Sequence, residues 1–342
     1  MRVLITGASG FAGTWLARAC LDAGEQVTGL SRSGDAPAGA QGRAVDLADG
    51  AAVRAVVREA APQVVYHLAA LSSVGRSWQQ PAQTLQANVG GAAGLLEALR
   101  HEAPDARLVW VSSSEVYGTR EQLPIAEDAP PHPASPYAVS KAAGEQLAEV
   151  YRLAHGLNVV IARPFSHSGP GQRPIFLLSN ITRQAAQGRR DGLARLRVVT
   201  GNGATRRDFT DVRDVVRAYR LLAASGLTGV FNVCSGRSIS AAEQVAALGR
   251  LVAPLEVEHV VDPQLVRASE VMDLRGDPAK LTAATGWRAE IPHAQTMADT
   301  LRYWEQELAA ARAARAAPAA PAAPAAPAAP AAPAAPAAPA AD

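Results

Sequence analysis

Tyr137 and Lys141 stand four residues apart in Tyr137-Ala-Val-Ser-Lys141, and of the 33 lysines and arginines only two, Lys141 and Lys280, are lysines. A lysine kept at one spot in a chain that otherwise uses arginine suggests work a guanidinium cannot do. Residues i and i+4 of a helix share a face, so the phenol and the ammonium would point the same way. A free phenol ionises near ~10 and is a poor acid–base catalyst at neutral pH. An adjacent ammonium favours the phenolate, so the pair is expected to bring the Tyr137 pKa down toward the working range. A change of about three units needs roughly 4 kcal/mol, more than an exposed pair supplies. The site is therefore expected to be partly dry and to receive a second cation. The alternative is a solvated helix face with no joint role for the two residues.

Such a helix needs a scaffold. Short apolar runs alternate with helical patterns: strands are expected at Val3–Thr6, Gln26–Ser31, Val64–Ala69, Leu108–Ser112 and Val159–Pro164. Helices are expected at Gly13–Ala23, Gly50–Ala60, Pro81–His101 and Ser135–His155. The strand runs are almost continuously apolar, as in a parallel sheet covered on both faces. The reading is an α/β fold: a Rossmann-type doubly wound parallel sheet with a smaller C-terminal substrate lobe. A dinucleotide-binding domain takes residues 1–165, and 208–239 return to it through the helix Val212–Ala224 and the strand Val230–Cys234. Residues 166–207 and 240–310 form the lobe over the carboxyl ends of the strands, where a ligand crevice belongs. Residues 311–342 are a low-complexity Ala-Ala-Pro tail, with proline at every third position from Pro318 to Pro339. Proline at that frequency favours polyproline II, so a disordered or semi-rigid tail is expected, with a docking arm for a proline-binding partner as the alternative.

The first strand runs directly into Gly7-Ala8-Ser9-Gly10-Phe11-Ala12-Gly13 and then into a helix. Glycines there permit a tight turn and bring backbone N–H groups close to a pyrophosphate at a helix N-terminus. Gly7, Gly10, Phe11, Ala12 and Gly13 are thus expected to bind a dinucleotide. The second strand ends Gly29-Leu30-Ser31-Arg32, with no acidic residue for a ribose 2′-hydroxyl. Arg32 suits a 2′-phosphate instead, which favours NADP(H) and leaves NAD(H) as the alternative. An oxidised nicotinamide ring would be the second cation beside Tyr137. Asp46 and Leu47 are placed at the adenine; Asp46 alternatively caps the next helix.

Composition excludes several classes. A net charge of +2 gives no general field for nucleic acid. Cys20 and Cys234 have no metal-like spacing and read as small core residues, so no metal site or disulfide framework is expected and a reducing cytoplasm fits. No run of about 18 apolar residues suggests a membrane span, and no secretory signal pattern is present.

Val111-Ser112-Ser113-Ser114-Glu115-Val116-Tyr117-Gly118 closes the fourth strand and puts hydroxyls at the crevice. Glycine loop, serine-bearing strand end and Tyr-x-x-x-Lys now follow one another in order. Over about residues 1–308 the chain resembles the extended short-chain dehydrogenase/reductase family, whose members act on nucleotide sugars. The resemblance implies that Tyr137 is the acid–base group, that Lys141 holds the nicotinamide ribose and lowers the Tyr137 pKa, and that Ser113 orients the substrate oxygen. It also implies cofactor contacts for Leu68, Ala69, Ala70 and Asn88, in His67-Leu68-Ala69-Ala70 and beyond.

Within that family the chain is similar to the GDP-4-keto-6-deoxy-D-mannose reductases. The likeness is carried by Arg163-Pro164-Phe165-Ser166-His167-Ser168-Gly169-Pro170-Gly171-Gln172, Arg207-Asp208-Phe209-Thr210-Asp211-Val212, Leu265-Val266-Arg267-Ala268-Ser269-Glu270-Val271, and Gly286-Trp287 with Ile291-Pro292. Ser166 stands where asparagine is usual, and Ala268 where proline is usual. The resemblance implies a GDP-sugar around Ser114, Glu115, Ser166, Arg207, Arg267 and Glu270. Forked guanidinium donors suit a diphosphate, and a carboxylate accepts from ribose hydroxyls. The expected reaction is NADPH-dependent reduction of a 4-keto sugar to GDP-D-rhamnose. Glu115 sits where GDP-mannose 4,6-dehydratases keep a carboxylate for the C5 proton, so dehydration is an alternative reaction. A 4-epimerase and a non-catalytic NADP(H)-binding regulator are further alternatives. Family habit implies a homodimer through the helices containing Pro81–His101 and Ser135–His155. Lys280 is expected at a helix start, away from the chemistry.

Overall fold

A computed structural model describes residues 1–266 and 271–316. The order is β1 (Arg2–Thr6), α1 (Phe11–Asp22), β2 (Gln26–Ser31), β3 (Gln41–Ala44), α2 (Gly50–Ala60), β4 (Val64–His67), α3 (Val74–Gln79), α4 (Pro81–Leu85), α5 (Gly91–Glu102), β5 (Arg107–Val111), α6 (Pro136–His155) and β6 (Val159–Pro164). Then come β7 (Ser166–Ser168), α7 (Leu177–Arg190), β8 (Arg195–Thr200), β9 (Arg206–Asp211), α8 (Val212–Ala224), β10 (Gly229–Val233), β11 (Ser238–Ser240), α9 (Ala241–Val252), β12 (Glu256–Val261), β13 (Asp273–Leu274), α10 (Ala279–Thr285) and α11 (His293–Ala316).

Seven strands form one parallel sheet in the order β10-β6-β5-β4-β1-β2-β3. Strand pleat explains the continuous apolar runs. Val3 and Ile5 of β1, with Val109 and Val111 of β5, pack with α1 and α8 residues such as Leu16, Cys20, Val215 and Tyr219. Leu4, Leu108 and Trp110 face the other way, onto Val53, Val57, Leu95, Leu99 and Ala148 of α2, α5 and α6. Both faces are therefore buried, at about 1.5–3 kcal/mol for each large side chain. Winding changes direction between β1 and β4, and a ligand crevice opens at such a switch point.

Beyond β6 the chain builds smaller sheets. β9 lies between β11 and β13 and also pairs β7, while β8 pairs β12. A separate apolar cluster joins α7, α9 and α11 through Leu178, Ile181, Val245, Leu248, Met297 and Leu301. Asp208 ties β9 back to the large sheet. Its buried carboxylate accepts from Ser235 N at 2.8 Å, Ser235 Oγ at 2.6 Å and Gly236 N at 2.9 Å, just past β10.

Several expectations need correction. The helix expected over Pro81–His101 contains a π-helical turn at Gln86–Gly90 between α4 and α5. β4 stops at His67, because the loop after it must pass under Gly7. Of 208–239, α8 and β10 join the large sheet layers, whereas β9 and β11 form the small sheet. Helix α11 runs to Ala316, so 311–316 are helical; alanine and arginine favour helix until prolines begin at Pro318. The remainder of the tail, with Arg267, Ala268, Ser269 and Glu270, lies outside the described residues. Cys20 and Cys234 are buried, and burial pushes the Cys20 thiol up to about 12, as for an inert core cysteine. Lys280 is in α10, donating to Val230 O at 2.7 Å. Among the described residues no helix is long and apolar enough to cross a membrane.

Candidate active site

The glycine loop is set by steric limits. Gly7 adopts φ +75°, and a Cβ there would meet Ala69 N and Cα at 3.0 Å. A Cβ on Gly13 would lie 2.1 Å from Gly7 O. Gly10 caps α1 with no side-chain hydrogen bond, so the first N–H groups of the helix are left for a ligand. This tight, uncapped turn beside the switch point fits a pyrophosphate. Phe11 and Ala12 open α1 and are half-buried. Phe11 stacks on His167 with ring centroids 6.0 Å apart and planes 7° apart, and Trp15 Nε1 donates to Pro170 O at 2.9 Å. These contacts bind α1 to β7 and the segment after it.

The loop after β4 is fixed by Thr6. Its hydroxyl accepts from Ala69 N at 3.2 Å and shares a 2.8 Å hydrogen bond with His67 Nδ1. Leu68, Ala69 and Ala70 are half-buried along this loop. Asn88, in the π turn, accepts from Leu71 N at 2.7 Å and donates to Ser140 Oγ at 2.8 Å. Ser140 in turn donates to Tyr137 O at 2.7 Å, so one amide links the loop after β4 to α6. Arg32 is exposed just past β2. Asp46 is also exposed and accepts from Ala48 N at 3.0 Å; the cap of α2 is Asp49, which accepts from Ala52 N at 3.0 Å. Leu47 packs against Gly91, where a Cβ would come within 2.9 Å of it.

Helix α6 starts where the chemistry requires. Ser135 accepts from Ala138 N at 3.1 Å and Pro136 takes the first helical turn, so Tyr137 and Lys141 are held on the first two turns. Tyr137, Lys141 and Ser113 are each buried. Ser113 Oγ accepts from Glu115 N at 3.2 Å and opens the 3₁₀ turn Ser114–Tyr117. Ser114 is buried within that turn and Glu115 is half-buried. Lys141 Nζ donates to Val111 O at 2.8 Å.

Lys141 by itself does not bring the Tyr137 phenol down; the expected fall called for a second cation as well. Burial pushes the phenol up to about 12; a hydrogen bond with Ser113 opposes this and the Glu115 carboxylate adds to it. The Lys141 ammonium is directed to a backbone carbonyl instead. Burial brings Lys141 down to about 8, while Glu145 acts to keep it charged. His67 is held neutral, its pKa pushed down to about 3 by burial and then by Lys141. The dry site was anticipated, but in a dry site desolvation outweighs the pair.

Ser166 pairs with Phe209 between β7 and β9. Arg207, on β9, donates through Nη1 to Arg206 O at 2.8 Å and Val271 O at 2.7 Å. Arg267 and Glu270 lie outside the described residues. Sequence reading gave no role to Thr6, Glu145, Arg163 or Tyr117. Only Glu145 carried a signal, as the third member of a four-residue spacing that begins at Tyr137 and Lys141.

Geometry and sequence kinship agree. The chain belongs to the GDP-mannose 4,6 dehydratase family, which matches residues 4–300. It is an enzyme of the extended short-chain dehydrogenase/reductase type. It is 39% identical over 250 residues, 72% of this chain and 82% of the relative, to a GDP-6-deoxy-D-mannose reductase of Pseudomonas aeruginosa. The structure of RMD from Pseudomonas aeruginosa complexed with NADPH superposes with a TM-score of 0.78 at 35% identity, covering 90% of this chain and 100% of that one. A Thermus thermophilus UDP-glucose 4-epimerase in complex with NAD gives a TM-score of 0.79 at 30% identity, with 89% and 99% covered.

Proposed function

We propose that the enzyme uses NADPH to reduce the C4 ketone of GDP-4-keto-6-deoxy-D-mannose to GDP-D-rhamnose. The observation that carries this reading is a buried, neutral Tyr137 phenol bonded to Ser113, one helical turn from Lys141. Reduction needs a proton donor at the forming alkoxide, and a phenol with a raised pKa keeps its proton at neutral pH. When bound, NADPH supplies hydride to C4. Tyr137 gives its proton to the carbonyl oxygen, and Ser113 donates a hydrogen bond to that oxygen as charge builds. Lys141 offsets the negative charge left on Tyr137. Similarity to the Pseudomonas reductase and to RMD complexed with NADPH supports the substrate and the cofactor. Arg32 supports NADP(H) over NAD(H).

Segments 166–207 and 240–310 form the substrate lobe in this reading. Arg207 and Arg267 hold the diphosphate, Glu270 a ribose hydroxyl, and Ser114, Glu115 and Ser166 the sugar. The exposed apolar residues Val139, Val150 and Leu153 of α6 support a homodimer through that face. Buried reduced thiols support a cytoplasmic setting.

A second reading rests on Glu115, which lies near enough to Tyr137 to raise its pKa and could remove a C5 proton in a dehydration. The test is to mix the enzyme with NADPH and the keto sugar. A reductase consumes NADPH in proportion to product, and a dehydratase or epimerase recycles a retained cofactor. In Tyr137→Phe, turnover should fall by about a hundredfold or more while NADPH still binds. Unchanged turnover would reject the proposed acid.

A further inference from the structure

Glu145 is fully internal. It stands one helical turn beyond Lys141 and two beyond Tyr137 on α6, and all three are buried. Its carboxylate accepts a forked pair from Arg163 of β6, Nε to Oε1 at 2.9 Å and Nη2 to Oε2 at 2.7 Å. Arg163 and Glu145 are 4% and 2% exposed, so the pair is shielded from water.

A buried ion pair is a poor stabiliser compared with apolar side chains of the same volume, so its presence asks for another role. This one is also incomplete, since the buried Arg163 Nη1 has no partner among the described residues. Its second contact is informative. The Arg163 guanidinium lies 4.7 Å from the ring centroid of Tyr117. Tyr117 ends the 3₁₀ turn that begins just after Ser113, and its hydroxyl donates to Asn232 Oδ1 at 2.7 Å. One guanidinium therefore grips the helix of Tyr137 and Lys141 with its donors and the turn after Ser113 with its face.

We propose that Glu145 and Arg163 form a positioning pair for the catalytic set, bracing the helix of Tyr137 and Lys141 against the turn of Ser113 and giving the Lys141 ammonium its anionic neighbour. The proposal rests on the reading of Tyr137, Lys141 and Ser113 given above. The titratable groups that face Lys141 are Tyr137 and Glu145, one turn to either side on α6, and His67 of β4. His67 is neutral. Glu145 alone among them opposes the effect of burial on Lys141.

The composition of the chain makes a direct test practical. With only two lysines, a protein labelled with ¹⁵Nζ-lysine gives two side-chain signals, and Lys280→Arg assigns them. In Glu145→Gln the Lys141 midpoint should fall by about one pH unit or more, a tenfold change in its proton affinity, while Lys280 stays in place. An unmoved Lys141 midpoint would overturn the proposal. If the lone guanidinium prevents Glu145→Gln from folding, Glu145→Gln with Arg163→Met removes both charges and carries the same expectation. In turnover, Glu145→Gln should lower kcat by about tenfold with little change in the KM for NADPH, and Glu145→Asp should restore most of it. A purely structural pair would lower stability and leave the Lys141 midpoint where it is. The two readings separate: a shifted Lys141 in a protein that reduces no keto sugar upholds the brace and rejects the reductase. Normal reduction by Glu145→Gln with an unshifted Lys141 does the reverse.

Discussion

The Lys141 ammonium donates to the Val111 carbonyl at 2.8 Å, so this lysine grips the end of the strand that leads into Ser113. Burial brings Lys141 down to about 8 and pushes Tyr137 up to about 12, so Lys141 loses its proton first as pH rises. Below about 8 it is charged and can offset the phenolate left after proton transfer. The expected pH profile of kcat is flat through neutrality and falls above about 8. Arginine has no comparable titration. In Lys141→Arg the alkaline fall should therefore vanish from whatever activity survives. A decline that persists at the same pH in that variant would assign it to another group.

Gly13→Ala should abolish cofactor binding. The added Cβ would sit 2.1 Å from Gly7 O, a backbone atom that cannot swing aside. The loop must shift, at a cost of about 1–3 kcal/mol in stability, and the N–H groups at the start of α1 move with it. Thermal unfolding and a fluorescence titration with NADPH read the two effects. Full affinity in this variant would contradict a pyrophosphate seat at the loop.

Acid sensitivity should trace to His67. Its folded pKa is about 3, below the ordinary value near ~6.5, so between these values the unfolded chain binds a proton that the folded chain does not. By linkage, stability rises with pH across that window and is lost as pH falls through it. Going from pH ~7 to ~5 this one group should remove about 2 kcal/mol. Urea unfolding at the two pH values should show that His67→Gln, whatever its stability at neutrality, has a smaller difference between them by that amount.

Arg32→Glu should reverse the choice of dinucleotide. A carboxylate at the end of β2 accepts from a ribose 2′-hydroxyl and repels a 2′-phosphate. The expected result is NADPH affinity lower by about tenfold or more, with NADH gaining. Equal losses for both cofactors would place Arg32 outside the discriminating position.

Much of the frame was readable because it depends on local pattern. Gln26–Ser31, Val159–Pro164 and Val212–Ala224 were expected at the bounds found, since their apolar residues must be covered on a known face. The glycine loop and α6 were readable for the same reason, each being a short motif in its required context. Two features were not. The pKa of Tyr137 is decided by how much water the fold removes, which spacing alone does not state. The contact of Arg163 with Glu145 and Tyr117 joins a strand, a helix and a turn, and nothing local in the sequence marks such a meeting.

The π-helical turn at Gln86–Gly90 has a consequence for how this chain can vary in length. Bonding over five residues instead of four takes up one extra residue, so the flanks keep the phase of an α-helix one residue shorter. Asn88 reaches Leu71 and Ser140 on one side of that step, and Leu95 and Leu99 reach the sheet on the other. Losing one residue of the turn other than Asn88 would close it to an ordinary α turn with the amide and the leucines still in phase, whereas a further residue gained there would turn one or the other the wrong way.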